Sequence, residues 1–248
     1  MNLFAAALLG AFAASSLVIG AVLALRARFS NRLVGSVMGF GAGALISSIA
    51  YELIPESLIG DAGGAILIFT AFGAGALTFF ALDWFIDNRG GRHRKKIGGA
   101  QPPAEGSGMA IFLGTLLDGI PESLTLGLGL GLGGSISIAF LTAVFVSNLP
   151  EGIAGTRNML AQGASRRKVL WMWIGLVIAS AGAAAFGYAA IQAVPGADGR
   201  LVQGFAAGAM LTMLADAMMP EAFEHGGKLV GILTTLGFTM AAALSILE

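Results

Sequence analysis

Two short segments, Asp118-Gly-Ile-Pro-Glu-Ser123 and Ser147-Asn-Leu-Pro-Glu-Gly152, decide the fold of this chain. Each lies near the middle of an apolar segment long enough to cross a lipid bilayer. A charged carboxylate at the centre of a membrane helix costs roughly 3 kcal/mol on insertion scales. The acids of the two segments, Asp118, Glu122 and Glu151, therefore need a compensating cation or proton.

The composition is typical of an integral membrane protein. Of the 248 residues, 56% are hydrophobic and 11% are charged, and the mean hydropathy is +0.83, whereas a soluble domain has about 25% charged residues. The formal net charge of zero argues against a nucleic-acid partner. The absence of cysteine excludes disulfides and thiolate metal sites. No basic segment precedes the first apolar run, which predicts a first membrane span and not a cleaved signal peptide.

Apolar runs of roughly 20 residues predict eight membrane-spanning helices. They lie at residues 2–25, 33–55, 63–86, 108–132, 135–158, 168–192, 200–221 and 228–247. A helix satisfies its own backbone hydrogen bonds in lipid, and the two-residue alternation of a barrel is not seen in the sequence. The predicted fold class is therefore an all-α membrane protein.

Basic residues predict the orientation of these spans. Of the 14 lysine and arginine residues, all except Arg200 lie in or beside the connections between spans one and two, three and four, five and six, or seven and eight. We therefore expect both termini on the non-cytoplasmic side of a plasma (inner) membrane. The expected organisation is spans one to three (residues 1–87), a basic cytoplasmic loop (88–107), spans four and five with the metal site (108–160), and spans six to eight (161–248).

Two internal repeats relate spans that run in opposite directions. Residues 39–57, in span two, align without gaps with residues 204–222, in span seven, and residues 118–126 align with 147–155. Chance similarity among Gly, Ala and Leu is the alternative, but all four segments share a Pro-Glu pair. Inverted repeats with a site at the membrane midplane are typical of secondary transporters.

The polar side chains of the two central segments are spaced to share one helix face. Asp118 and Glu122 are four residues apart on span four, and Ser147 and Glu151 repeat that spacing on span five, with Asn148 beside them. If the two helices face each other, five oxygen-bearing side chains converge. The prolines at 121 and 150 also leave a backbone carbonyl on each helix without its usual donor. A cation is one partner for such carbonyls, and the kinks would open a pocket.

The alternative is that these acids are protonated or paired with basic residues that hold helices together. Spans four and five offer no basic side chain near them, since Arg157 is two turns beyond Glu151. A cation or proton site is therefore favoured. Solvation at a helix end is favoured for Glu56 and Glu224, and His225 falls outside the predicted spans. Six residues near the ends of spans two and seven could assist access or release: Glu52, Glu56, Asp216, Glu221, Glu224 and His225.

On these residues the chain resembles the ZIP (Zrt/Irt-like) family of divalent metal transporters. Ser147-Asn-Leu-Pro-Glu-Gly152 is similar to the family's His-Asn-x-Pro-Glu-Gly motif, and Asp118-Gly-Ile-Pro-Glu-Ser123 is a weaker counterpart. The resemblance covers all eight spans and the long loop after span three. It implies a 3+2+3 helix arrangement with inverted repeats and a metal site between spans four and five.

The resemblance also implies a ligand set for the metal. Glu122 and Glu151 match the motif glutamates, and Asn148 matches an Asn or Asp position. The motif histidines are replaced by Asp118 and Ser147, so the five candidate ligands offer only oxygen atoms. Span six has no acid to support a second ion. We therefore expect a single ion, with zinc held more weakly than by a relative with histidines and with preference moved toward manganese or iron(II).

The leading hypothesis is import of a divalent transition metal, such as zinc, iron(II) or manganese, toward the cytoplasm. The metal is then a transported substrate and the lipid bilayer a partner; no cofactor and no nucleic acid are expected, and a homodimer is left open. One alternative is a transporter of protons, monovalent cations or a small solute on the same fold, and another is a non-transporting membrane sensor. An enzyme is least favoured, since no histidine base lies near Ser147 and no nucleotide-binding loop is present.

Overall fold

The structure is a computed structural model that describes residues 2–54, 62–88, 107–133, 137–194, 196 and 198–248. Within them the chain forms eight long helices and no strand. Each helix is long and apolar enough to cross a membrane, which confirms the all-α class and identifies an integral membrane protein. The helices are α1 (Leu3–Arg26), α2 (Asn31–Leu53), α3 (Ala62–Ile86), α4 (Ser107–Gly131), α5 (Ile138–Ala161), α6 (Arg166–Gln192), α7 (Arg200–Gly226) and α8 (Leu229–Leu247).

Side-chain caps explain where four of the helices begin. Asn2, Ser30, Ser137 and Ser165 each accept a hydrogen bond from the backbone N–H three residues later, at 3.0–3.2 Å. Such caps satisfy donors that have no partner in the first turn of a helix. The predicted boundaries lie within three residues of these helices, except that α7 continues to Gly226 instead of ending at 221.

Two helices, α2 and α7, contain a wide π-helical turn, at Ile49–Leu53 and Leu214–Met218. In each turn the N–H one residue beyond donates to the carbonyl five residues before it, as Ile54 does to Ile49 at 3.1 Å. The turns occupy equivalent positions in the 39–57 and 204–222 repeat, and each ends two residues before the repeat's proline. A wide turn adds one residue to the helix and is often found at functional sites.

Small residues bring α2 against α8. A Cβ atom added at Gly39 would lie 2.5 Å from the side chain of Val230, and one added at Gly43 would overlap the backbone of Thr234. Glycine at both positions therefore lets the two helices approach closely. Because these contacts advance together along both helices, α2 and α8 run in the same direction.

The second copy of the repeat packs in the same way against α3. A Cβ atom at Gly204 would lie 2.8 Å from the carbonyl oxygen of Ile68, and one at Gly208 would overlap the backbone of Phe72. Helices α3 and α7 therefore also run in the same direction. Eight spans that alternate across a membrane require both of these parallel pairs. The 3+2+3 grouping itself stays a prediction.

The innermost helices are α2, α4 and α5, in which 67% of the most apolar window is buried, against 17% in α3. Helix α5 packs on both α1 and α2, and α4 packs mainly on α6. We call the end of the bundle where α2, α4, α6 and α8 finish the outer end, since the basic residues predict that it faces away from the cytoplasm. Most of the predicted 88–107 loop lies outside the described residues.

Candidate metal centre

All five predicted ligands lie inside the helix bundle. Ser147 is fully buried, and Asp118, Glu122, Asn148 and Glu151 are 2–5% exposed. A polar group removed from water to this extent needs a proton, a donor or a cation, and a charged one needs it more. All five predicted ligands are thus placed where binding of a cation would offset the free-energy cost of their burial.

Helix α1 contacts α5 directly at the second motif. A Cβ atom at Gly152 would lie 2.9 Å from the Cα atom of Leu17, and one at Gly20 would lie 3.1 Å from the backbone nitrogen of Ile153. The two helices therefore meet backbone to backbone at the motif glycine. This contact fixes the position of the α5 backbone beside Glu151.

Helix α2 contacts the other end of the same motif. A Cβ atom at Gly41 would lie 2.8 Å from the Cα atom of Ser147. The Ser147 hydroxyl donates to the carbonyl of Val144 at 2.9 Å. A hydroxyl that donates in this way still has lone pairs with which to bind a cation. The contact with α2 therefore fixes the backbone at Ser147, and the hydroxyl oxygen keeps lone pairs with which it can bind a cation.

The proline of α4 lies within a continuous helix, and its surroundings differ from the expected pocket. A cavity of about 210 Å³ adjoins Pro121, lined almost entirely by apolar side chains of α3, α4 and α7, including Leu117 and Leu124. None of the five predicted ligands lines it. The space beside this proline is thus on the apolar face of α4 and is not a cation pocket.

The structure does not gather the three central carboxylates into one tight cluster. Among the described residues, the only three acid or histidine side chains with ligand atoms all within 4.8 Å of one another are Glu221, Glu224 and His225. Asp118, Glu122 and Glu151 are each buried on α4 or α5, but they do not form such a cluster. Their joint role as ligands stays a prediction.

The Glu221–Glu224–His225 cluster corrects one sequence-based expectation. His225 was expected outside the spans, but it lies in the last turn of α7, and Glu221, expected near the end of span seven, is buried one turn before it. The Glu221 carboxylate is 3.2 Å from Nδ1 of His225, and the two side chains are 8% and 16% exposed. The spacing of three and four residues along a helix was the available signal, because it places all three side chains on one face.

The other sequence candidates have simpler surroundings. Asp216 lies in the π turn of α7 and is exposed. Arg157 donates to the carbonyl of Phe29 at 2.9 Å and to Asn31 at 3.3 Å, which ties α5 to the connection between α1 and α2. Glu56 lies outside the described residues.

Comparison with known proteins gives no further assignment. No protein-family model matches the chain, and no curated protein matches it. Function has to be argued from the residues and their positions.

Proposed function

We propose that the protein is a membrane transporter of divalent transition metals, such as zinc, iron(II) or manganese, similar to the ZIP family. The proposed ligands are Asp118, Glu122, Ser147, Asn148 and Glu151. The proposed direction is import toward the cytoplasm across a plasma (inner) membrane, with both termini on the non-cytoplasmic side.

The observation that carries the proposal is the burial of all five side chains in helices of membrane length. Acids inside membrane helices are costly to bury and are usually present for function, so three buried carboxylates favour a bound cation or proton. The charge that they supply attracts a cation, and their oxygen atoms can replace the water that the cation must leave behind.

The Glu221–Glu224–His225 cluster supports a route with more than one binding position. It lies near the inner end of α7, whereas the central motifs lie along α4 and α5. A transported ion has to bind favourably enough to enter and weakly enough to leave. Two carboxylates and one imidazole at the inner end offer a second set of ligands, to which a metal ion could pass before its release. A carrier of protons would not require such a set.

The test is a metal-uptake panel with the purified chain in sealed vesicles. We expect uptake of at least one of Mn²⁺, Fe²⁺ and Zn²⁺, and a loss of at least 20-fold in Glu122→Gln and in Glu151→Gln. Each variant keeps the shape of the side chain and removes its charge. Asp83→Asn, an acid on the weakly buried α3, is the matched control and should transport normally.

Three outcomes would overturn the proposal. Uptake of a monovalent cation or a pH-driven flux, with no divalent metal uptake, would favour the alternative transporter. Binding of metal without uptake of any ion would favour a sensor. Loss of folded protein in both glutamine variants, checked by size-exclusion chromatography, would assign the acids a structural role instead.

A further inference from the structure

The apolar cavity beside Pro121 has a buried floor and an exposed rim. The floor consists of four buried lining residues: Phe79, Pro121, Ala206 and Ala209. The rim consists of four lining residues that are 37–45% exposed: Leu82, Ile120, Val202 and Phe205. Because all of them belong to helices that span the membrane, the rim opens the cavity to the lipid around the bundle.

The cavity lies at the depth of the hydrocarbon core. Its wall on α4 runs from Leu117 to Leu124, and the middle residue of that helix is Gly119. The wall extends about 10 Å along the helix axis, so it fits within the apolar layer of a bilayer, which is about 30 Å thick. Lipid headgroups lie outside this layer. The acyl chains are therefore the molecules available to fill the cavity.

Water is a poor occupant of this cavity. Among the described residues that line it, Thr78 has the only polar side chain. The Thr78 hydroxyl donates to the carbonyl of Ala74 at 2.8 Å, within its own helix. A buried water needs about two to four polar partners, whereas apolar cavities of about 150 Å³ stay dry and take up small apolar molecules such as benzene. A cavity of about 210 Å³ with this lining therefore favours a hydrocarbon occupant.

The dimensions of the cavity fit a single hydrocarbon chain and not a helix. A volume of about 210 Å³ over a length of about 10 Å gives a mean cross-section of about 20 Å², which is a width of about 5 Å. Carbon atoms in contact are about 3.5–4.0 Å apart, so one methylene chain fits. A helix of a second copy of this chain, about 10–12 Å wide with its side chains, does not fit.

The internal repeats show that this space belongs to one half of the molecule. The counterpart of Ala206 is Gly41, and the counterpart of Asp118 is Ser147. Gly41 meets Ser147 directly, since a Cβ atom added to it would lie 2.8 Å from the Ser147 Cα atom. Ala206 lines the cavity instead, and α7 packs less extensively on α4 than α2 packs on α5. The repeat therefore does not require the gap, and an empty gap would lose packing contacts on both sides.

We propose that the cavity is a binding site for one acyl chain of a membrane phospholipid, which passes the rim and packs on the floor. The proposal goes beyond the proposed function and requires only that the bundle lies in a membrane. The bound chain fills the space between α4 and the pair formed by α3 and α7. Pro121 is part of the floor and Glu122 is the next residue. The chain therefore packs against the back of the helical turn that carries a proposed metal ligand.

The test is photolabelling of the full chain in vesicles of phosphatidylcholine that carries a diazirine in the middle of one acyl chain. Mass spectrometry of the peptides then locates the labelled residues. We expect label on the rim residue Leu82 and on the floor residues Phe79 and Ala206. Ile68 of α3 and Met210 of α7 are equally buried but do not line the cavity. They should carry about five-fold less label than the floor, because closely packed protein atoms surround them.

Two variants that fill the cavity sharpen the test. Ala206→Leu adds volume at the floor, and Val202→Phe narrows the mouth from an exposed position that tolerates a larger side chain. Each should lower the label on Phe79 about five-fold relative to Leu77, an exposed residue of α3 outside the cavity. Ala74→Leu is the matched control, since this exposed alanine does not line the cavity and should leave the labelling unchanged. Size-exclusion chromatography checks folding, and Val202→Phe alone decides the result if Ala206→Leu does not fold.

Label on the rim without label on the floor would overturn the proposal, and so would floor label that the filling variants leave unchanged. Equal label on the floor and on Ile68 and Met210 would show general penetration of the bundle and would also overturn it. A rim without label would show that a second copy of the chain covers the mouth. Photolabelling does not depend on ion uptake, so a chain that takes up no metal but shows floor label would lose the proposed function and keep the acyl-chain site.

Discussion

Substitution of Gly208 by alanine tests whether backbone contact holds α3 and α7 together. The added Cβ atom would lie 2.7 Å from the carbonyl carbon of Phe72, whereas carbon atoms in contact are about 3.5–4.0 Å apart. The helices would have to separate by about 1 Å. Overpacking of this kind costs about 1–3 kcal/mol, which lowers the Tm by about 5 °C in a chain of this size.

The matched control is Gly73→Ala, one residue from Phe72 on α3. A Cβ atom there meets nothing within 4 Å, and alanine favours the helix over glycine by about 0.5–1 kcal/mol. We expect this variant to equal or exceed the wild-type stability. The assay is thermal unfolding of the full chain in detergent, followed by circular dichroism. Equal Tm values for the two alanine variants would refute the contact as described.

Three further predictions concern ligand type and topology. In Asp118→His combined with Ser147→His, the uptake of Zn²⁺ relative to Mn²⁺ should rise about ten-fold, because imidazole suits zinc; an unchanged ratio in the vesicle panel would show that ligand type does not set selectivity. His225→Asn should weaken Zn²⁺ binding in calorimetry more than Mn²⁺ binding, by several-fold, and equal losses would remove the imidazole from the ligand set. A reporter after Lys96 should be cytoplasmic and one after Glu248 should not; both in one compartment would contradict eight alternating spans.

Hydropathy was sufficient to predict the helices, because each span needs a continuous apolar run whatever its neighbours are. The same argument failed at the inner end of α7, where Pro220 and the acids after it end the apolar run but not the helix. The π turns could not be predicted from hydropathy or composition, since an extra residue in one turn changes neither. The internal repeat predicts only that a π turn present in α2 would recur at the equivalent position of α7.

The sequence was sufficient to name candidate ligands but not to place them relative to one another. Asp118, Glu122 and Glu151 were identifiable because a charge inside an apolar run is rare. Their separation depends on how α4 and α5 are placed by α1, α2 and α6, which is a tertiary property.

The π turn of α2 affects which neighbouring helices this span contacts along its length. Each residue rotates an α-helix by about 100°, and the extra residue at Ile49–Leu53 shifts everything after it by that angle. Gly39 and Gly43 direct α2 at α8 before the turn, and within the turn the Glu52 carboxylate accepts a hydrogen bond from the Ser245 hydroxyl of the same helix, α8. The inserted residue thus changes the direction of the residues that follow it while α2 stays in contact with α8 up to its last turn.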